Sequence, residues 1–125
     1  MANKIKEFAT QLQNEIPGFI AFSICEIKSG KCVFSMSSDP EYDIEYITLC
    51  NVDFVRAKLN TVRAAKIADS VKNIIVNLEN QFHIIDITSD NEFFFYIAVS
   101  NKEANLAIVM ARLASCKNSH MKSMK

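Results

Sequence analysis

Between Val71 and Leu113 the chain sets three strand-forming runs end to end and follows them at once with a helix signal. The runs are Val71-Lys-Asn-Ile-Ile-Val-Asn-Leu78, Phe82-His-Ile-Ile-Asp-Ile-Thr88 and Phe93-Phe-Phe-Tyr-Ile-Ala-Val99. Each is rich in β-branched and aromatic side chains, and Asn, Gln, Ser or Asp separates one from the next. The pattern predicts a three-stranded antiparallel meander. Ser100-Asn-Lys-Glu103 then has the S-x-x-E form of a capping box, in which the hydroxyl and the carboxylate satisfy backbone donors that the first helical turn leaves free. A last, largely buried helix is expected from about Asn101 to Ser115, followed by a polar, fraying tail from Lys117 to Lys125.

Upstream of the meander, Ile5, Phe8, Ala9, Leu12 and Ile16 recur at helical spacing among polar residues, and Pro17-Gly18 ends that first helix. Two strands follow, Phe19 to Ile27 and Cys32 to Met36, around a Ser29-Gly30 turn. With a two-residue loop, Lys28 pairs with Lys31 and Cys25 faces Phe34, so Cys25 is not expected opposite Cys32. Asp39 as cap, Pro40 and Glu41 place a helix start near residue 39, with a later onset at Asp43 as the alternative. No glycine or proline interrupts this middle helix before about Ile67 or Ala68.

Laid out at about 100° per residue, the middle helix carries two apolar stripes. One holds Ile44, Val52, Val55, Leu59 and Val62; the other holds Tyr46, Ile47, Cys50, Phe54, Ala57, Ala64 and Ala65. Asn51 and Lys58 form a thin strip between them, and Glu45, Asp53, Arg56, Asn60 and Arg63 fill the solvated face. A surface helix needs only one such stripe. Two stripes imply two packing partners, the sheet and either a second subunit or a terminal helix. The first meander strand, Val71 to Leu78, carries Lys72 as its single charge, which guards a sheet edge poorly against pairing with another strand.

The chain shows no sign of chemistry. Its 125 residues suit one domain, and 14 basic against 14 acidic residues create no net field for nucleic acid or an anionic membrane. No run of about 18 apolar residues offers a membrane span, and Met-Ala-Asn-Lys-Ile-Lys-Glu is too polar for a signal peptide, so a cytoplasmic protein is expected. The two glycines could not build most phosphate loops, and no nucleotide, zinc-protease or calcium motif occurs. Cys25, Cys32, Cys50 and Cys116 lack metal-ligand spacing and read as buried thiols. His83 and Asp86 fall on opposite faces of their strand, and Asp39, Glu41, Asp43 and Glu45 read as helix-start acids. No cofactor, metal or catalytic group is therefore expected, and the aromatic run Phe93 to Tyr96 has no interleaved basic stripe for single-stranded nucleic acid.

The element order is α-β-β-α-β-β-β-α, an α+β arrangement. With Ile16-Pro-Gly18 before an apolar strand, the turn Lys28-Ser-Gly30, the meander and Asn105-Leu-Ala-Ile-Val-Met-Ala-Arg-Leu113, the chain resembles the roadblock/dynein light chain family from about Ile5 to Ser115. Ser29 stands where that family often has an acidic residue, and the segment Ser37 to Asp43 is unusually acidic. The resemblance implies a profilin-like, five-stranded antiparallel sheet with the long helix on one face and both terminal helices on the other, in a domain spanning residues 1–116. It implies homodimers in which the middle helices pack together and the first meander strands pair. Such an interface draws on Ile47, Cys50, Asn51, Phe54, Ala57 and Lys58 of the helix and on Lys72, Ile74 and Val76 of the strand. It implies a non-enzymatic platform for a small Ras-like GTPase, without membrane insertion. A structural adaptor joining cytoskeletal, motor or signalling proteins and a small-ligand sensor using the sheet face are the alternatives.

Overall fold

The computed structural model describes residues 2–120, and side chains at all of these except 2 and 118–120. Helix α1 (Ala2–Glu15) leads into β1 (Phe19–Glu26) and β2 (Cys32–Ser37), and α2 (Ile44–Ala64) precedes β3 (Asn73–Asn77), β4 (Gln81–Ile87) and β5 (Phe93–Ser100), with α3 (Leu106–His120) last. The strands form one antiparallel sheet in the order β2-β1-β5-β4-β3. This is the expected α+β topology.

Strand alternation divides the core in two. Phe22, Ile24, Ile84, Phe95 and Ile97 face α1 and α3, meeting Phe8, Leu12, Val109 and Leu113. Ala21, Cys25, Ile85, Phe94, Tyr96 and Ala98 face α2, meeting Ile44, Val52 and Val55. The long helix and the terminal helices therefore cover opposite faces. Pro17-Gly18 ends α1 as expected, and Gly18 serves a second purpose. At φ +80° its backbone passes so close to β5 that an added Cβ would lie 2.9 Å from Ser100 O.

Several local expectations give way to tertiary contacts. Ser100 does not cap α3, because its N–H stays in the sheet, donating to Gly18 O at 2.8 Å. The helix starts later, where Asn105 Oδ1 accepts from Ile108 N–H at 2.9 Å. Nor is α3 largely buried: Val109, Leu113 and Cys116 form one inward stripe, and Ile108 is exposed. It continues past Ser115 to His120, and Lys117, expected in a tail, pairs with Asp86 of β4. The rest of that tail, 121–125, lies outside the described residues.

For α2 the later onset holds, with Asp43 accepting from Tyr46 N–H at 3.1 Å, while Asp39 accepts from Glu41 N–H in the preceding turn. The helix stops at Ala64 rather than Ile67 or Ala68 because Lys66 turns left-handed at φ 56°. Lys66 N–H then donates to Arg63 O and Ile67 N–H to Val62 O, both at 3.1 Å, the double bond set of a Schellman ending.

The β1–β2 hairpin also differs. Glu26 N–H donates to Lys31 O at 2.9 Å, so the loop is longer than Ser29-Gly30, and the ladder pairs Cys25 with Cys32 and Ile24 with Phe34. Val33 is the extra residue of the bulge. Arg56, expected in solvent, explains the loop's shape: its Nε donates to Ile27 O at 2.9 Å and a terminal nitrogen donates to Lys28 O at 2.8 Å. Cys25 and Cys32 remain free thiols, and burial pushes Cys25 up to about 11 and raises Cys32 as well. Cys50, expected buried, is exposed on α2.

Candidate self-association surface

The sheet-facing stripe of α2 is buried through Ile44, Val52 and Val55, joined by Thr48, whose hydroxyl donates to Ile44 O at 2.6 Å and is hydrogen-bonded to the Ser23 hydroxyl of β1 at 2.8 Å. Thr48 stood in neither apolar stripe, yet its spacing from Ile44 and Val52 was the signal for it. The second stripe is bare apart from the half-buried Ile47. Phe54 is 45% exposed and Tyr46 64%, and Cys50 and Ala57 lie open beside them. Neither terminal helix covers this side, since α1 and α3 pack on the other face of the sheet.

Arg56 fixes the orientation of the bare stripe. It holds the β1–β2 loop, and residues two apart on a helix point about 160° away from each other, so Phe54 faces away from that loop. Ile47, half-buried, packs into the same cluster as Ile74 of β3. Leu49, outside both stripes, is 57% exposed on the Arg56 side. It belongs to a different patch. Exposed apolar groups grouped on one face mark an interaction site, whereas single ones do not.

Edge strand β3 completes the surface. Ile74 and Val76 are half-buried on the α2 face, opposite Ile85 and His83 of β4, and Lys72 lies exposed just before the strand. Among the described residues no strand pairs with the outer side of β3. Ile47, Cys50, Phe54 and Ala57 of α2 and Ile74 and Val76 of β3 thus lie on one face of the protein. Lys58 is exposed, and Asn51, at the boundary of the two stripes, has a buried Nδ2 with no hydrogen-bond partner.

Beside this face lies a polar cluster that the sequence did not disclose. Tyr42 OH is 2.6 Å from Tyr96 OH and 3.4 Å from His83 Nε2, which is 2.7 Å from Gln81 Oε1. His83 also stacks edge-on against Tyr96, at 5.3 Å between ring centres. Asp86 is on the other face, as the odd spacing predicts. Burial alone lowers the His83 pKa, and the titratable groups facing it, Tyr42 and Tyr96, are both held neutral by burial that raises theirs. Above the ordinary imidazole value, about 6.5, His83 is neutral folded or unfolded. Below it the unfolded chain takes up the proton more readily, so stability falls with pH by up to about 1.4 kcal/mol per unit. His83→Gln is expected to flatten this acid-side loss, read from urea midpoints at pH 5.5 and 7.5. Equal losses in both proteins would contradict it.

Among the described residues no cluster of three His, Cys, Asp or Glu could hold a metal, and no helix is long and apolar enough to cross a membrane. No protein-family model matches the sequence, and no curated protein matches it. Solved structures do. Myxococcus xanthus MglB superposes with a TM-score of 0.82 at 12% identity, covering 97% of this chain and 94% of that one. A Roadblock/LC7 domain from Streptomyces avermitilis gives 0.76 at 10% identity, over 94% of this chain and 95% of that one. An MglB with tetrameric arrangement gives 0.77 at 10% identity, over 97% of this chain and 87% of that one. Over nearly all its length, then, the chain has the roadblock/LC7 fold.

Proposed function

We propose that this protein is a non-enzymatic homodimeric platform that binds a small Ras-like GTPase and biases its nucleotide state or its location. The observation that carries the dimer is the bare second stripe of α2 on the same face as the open β3 edge. One apolar helix face and one unpaired strand make a self-complementary contact when two copies meet about a two-fold axis. Ile47, Cys50, Asn51, Phe54, Ala57 and Lys58 would meet their equivalents across the helices, and Lys72, Ile74 and Val76 would line the strand joint. A structure of the same fold has been solved in a tetrameric arrangement, which supports assembly as a use of this fold.

The GTPase follows from the sequence resemblance, since members of the roadblock family regulate or scaffold such proteins. Arg56 is not offered as a catalytic arginine in this reading, because it is committed to the carbonyls of Ile27 and Lys28. The test is capture on the immobilised protein in the presence of GDP or of a non-hydrolysable GTP analogue. Retention of a small GTPase in one nucleotide state, with altered hydrolysis or release once purified, is expected. Recovery of none in either state, together with unchanged hydrolysis by the GTPase encoded nearest its gene, would overturn the assignment.

A further inference from the structure

We infer that two copies of the chain join antiparallel along β3 with Ile75 on the two-fold axis, so that Asn73 pairs with Asn77 of the second copy and Ile74 lies opposite Val76 of the second copy. This rests on the dimeric reading above and adds the register, which that reading leaves open.

The ladder to β4 decides which groups are free to form the joint. Lys72 O accepts from Ile87 N–H at 3.1 Å, and Leu78 N–H donates to Gln81 O at 2.8 Å. In an antiparallel pair every second residue turns both main-chain groups toward its neighbour. Residues 72, 74, 76 and 78 therefore bond to β4, and Asn73, Ile75 and Asn77 aim N–H and C=O at the open edge. An incoming strand must present its own outward residues to these three. A slip by one residue sets outward groups against inward ones and forms no ladder. A slip by two leaves part of the set unpaired. Centring on Ile75 uses every outward group of Asn73, Ile75 and Asn77 in both copies.

The sequence favours a second copy over an unrelated strand. Asn73-Ile74-Ile75-Val76-Asn77 reads nearly the same in both directions about Ile75, so a two-fold axis there matches each side chain with its like. On the α2 face Ile74 meets Val76, a β-branched pair at the closer, non-hydrogen-bonded spacing. On the other face Ile75 meets itself between two Asn pairs. Ile75 is 36% exposed in the single chain, since its sheet position lies at the edge of the layer formed by α1 and α3. Self-pairing removes that exposure.

Cysteine variants at the three outward positions test the register, with peptide mass mapping to separate new links from any through the native thiols. Under mild oxidation, Ile75→Cys alone is expected to form a covalent dimer at least about tenfold faster than Asn73→Cys or Asn77→Cys alone, because disulfide closure requires Cα atoms within about 7 Å. Mixing Asn73→Cys with Asn77→Cys should restore rapid linkage. Linkage of Asn73→Cys to Ile75→Cys, or of Ile75→Cys to Asn77→Cys, in a protein that sediments as a dimer would overturn the register and leave the dimer standing. A dimer that gives no strand-to-strand link at all would overturn the joint at β3. A protein that sediments as a monomer would take away the dimer and the register together.

Discussion

Phe54→Asp is expected to leave a folded monomer, weakening self-association by at least about 100-fold, or roughly 3 kcal/mol. The size follows from placing a carboxylate where two apolar stripes meet, twice over, because the axis brings each Asp near its symmetry mate. The fold should survive, since Phe54 belongs to neither core cluster and is already 45% exposed. Leu49→Asp supplies the control. It inserts the same charge into the same helix at a position somewhat more open to water, but on the Arg56 side, and it should leave the dimer intact. Sedimentation velocity reads the association, and far-ultraviolet circular dichroism reads the helix content. Wild-type protein that runs as a monomer at micromolar concentration, or Phe54→Asp that associates like wild type, would refute the assembly.

What the sequence discloses and what it conceals separates along a physical line. Burial periodicity depends on the chain's own side chains, so the strands, the three helices and the doubled face of α2 are legible in the order of residues. The ends of elements depend on what arrives from elsewhere. Lys66 closes α2 in a conformation that glycine usually supplies, and no glycine stands there to announce it. Ser100 has the chemistry of a cap, but its backbone is claimed by Gly18, a residue far away in sequence. Arg56 looks solvated on a helical wheel because the wheel does not show the hairpin it reaches. The candidate surface divides likewise. Its apolar residues are visible one by one, whereas the bareness of Phe54 follows only from α1 and α3 packing on the far face of the sheet, away from α2.

Lys117→Met is expected to destabilise the fold by about 2 kcal/mol, the larger part of it from Asp86 and not from the lysine. Asp86 is 7% exposed on β4, on the face covered by α1 and α3, and the Lys117 ammonium is the charge that meets it. Removing the lysine leaves a carboxylate enclosed without its counterion, and such a group costs more than the lost attraction alone. The methionine keeps the stem's packing beside Phe95, whose ring centre lies 5.9 Å from the ammonium, so the loss reports charge more than volume. Because the Lys117 side chain is about a third exposed, water moderates the penalty below that of a fully enclosed pair. Adding Asp86→Asn to Lys117→Met should recover part of the stability, since the neutral amide no longer requires a counterion. Urea denaturation of the wild type, both single variants and the double variant gives the coupling directly. A Lys117→Met protein within about 0.5 kcal/mol of wild type, or a double variant less stable than Lys117→Met, would show that the last turns of α3 are held by the stripe Val109, Leu113 and Cys116 without help from this pair.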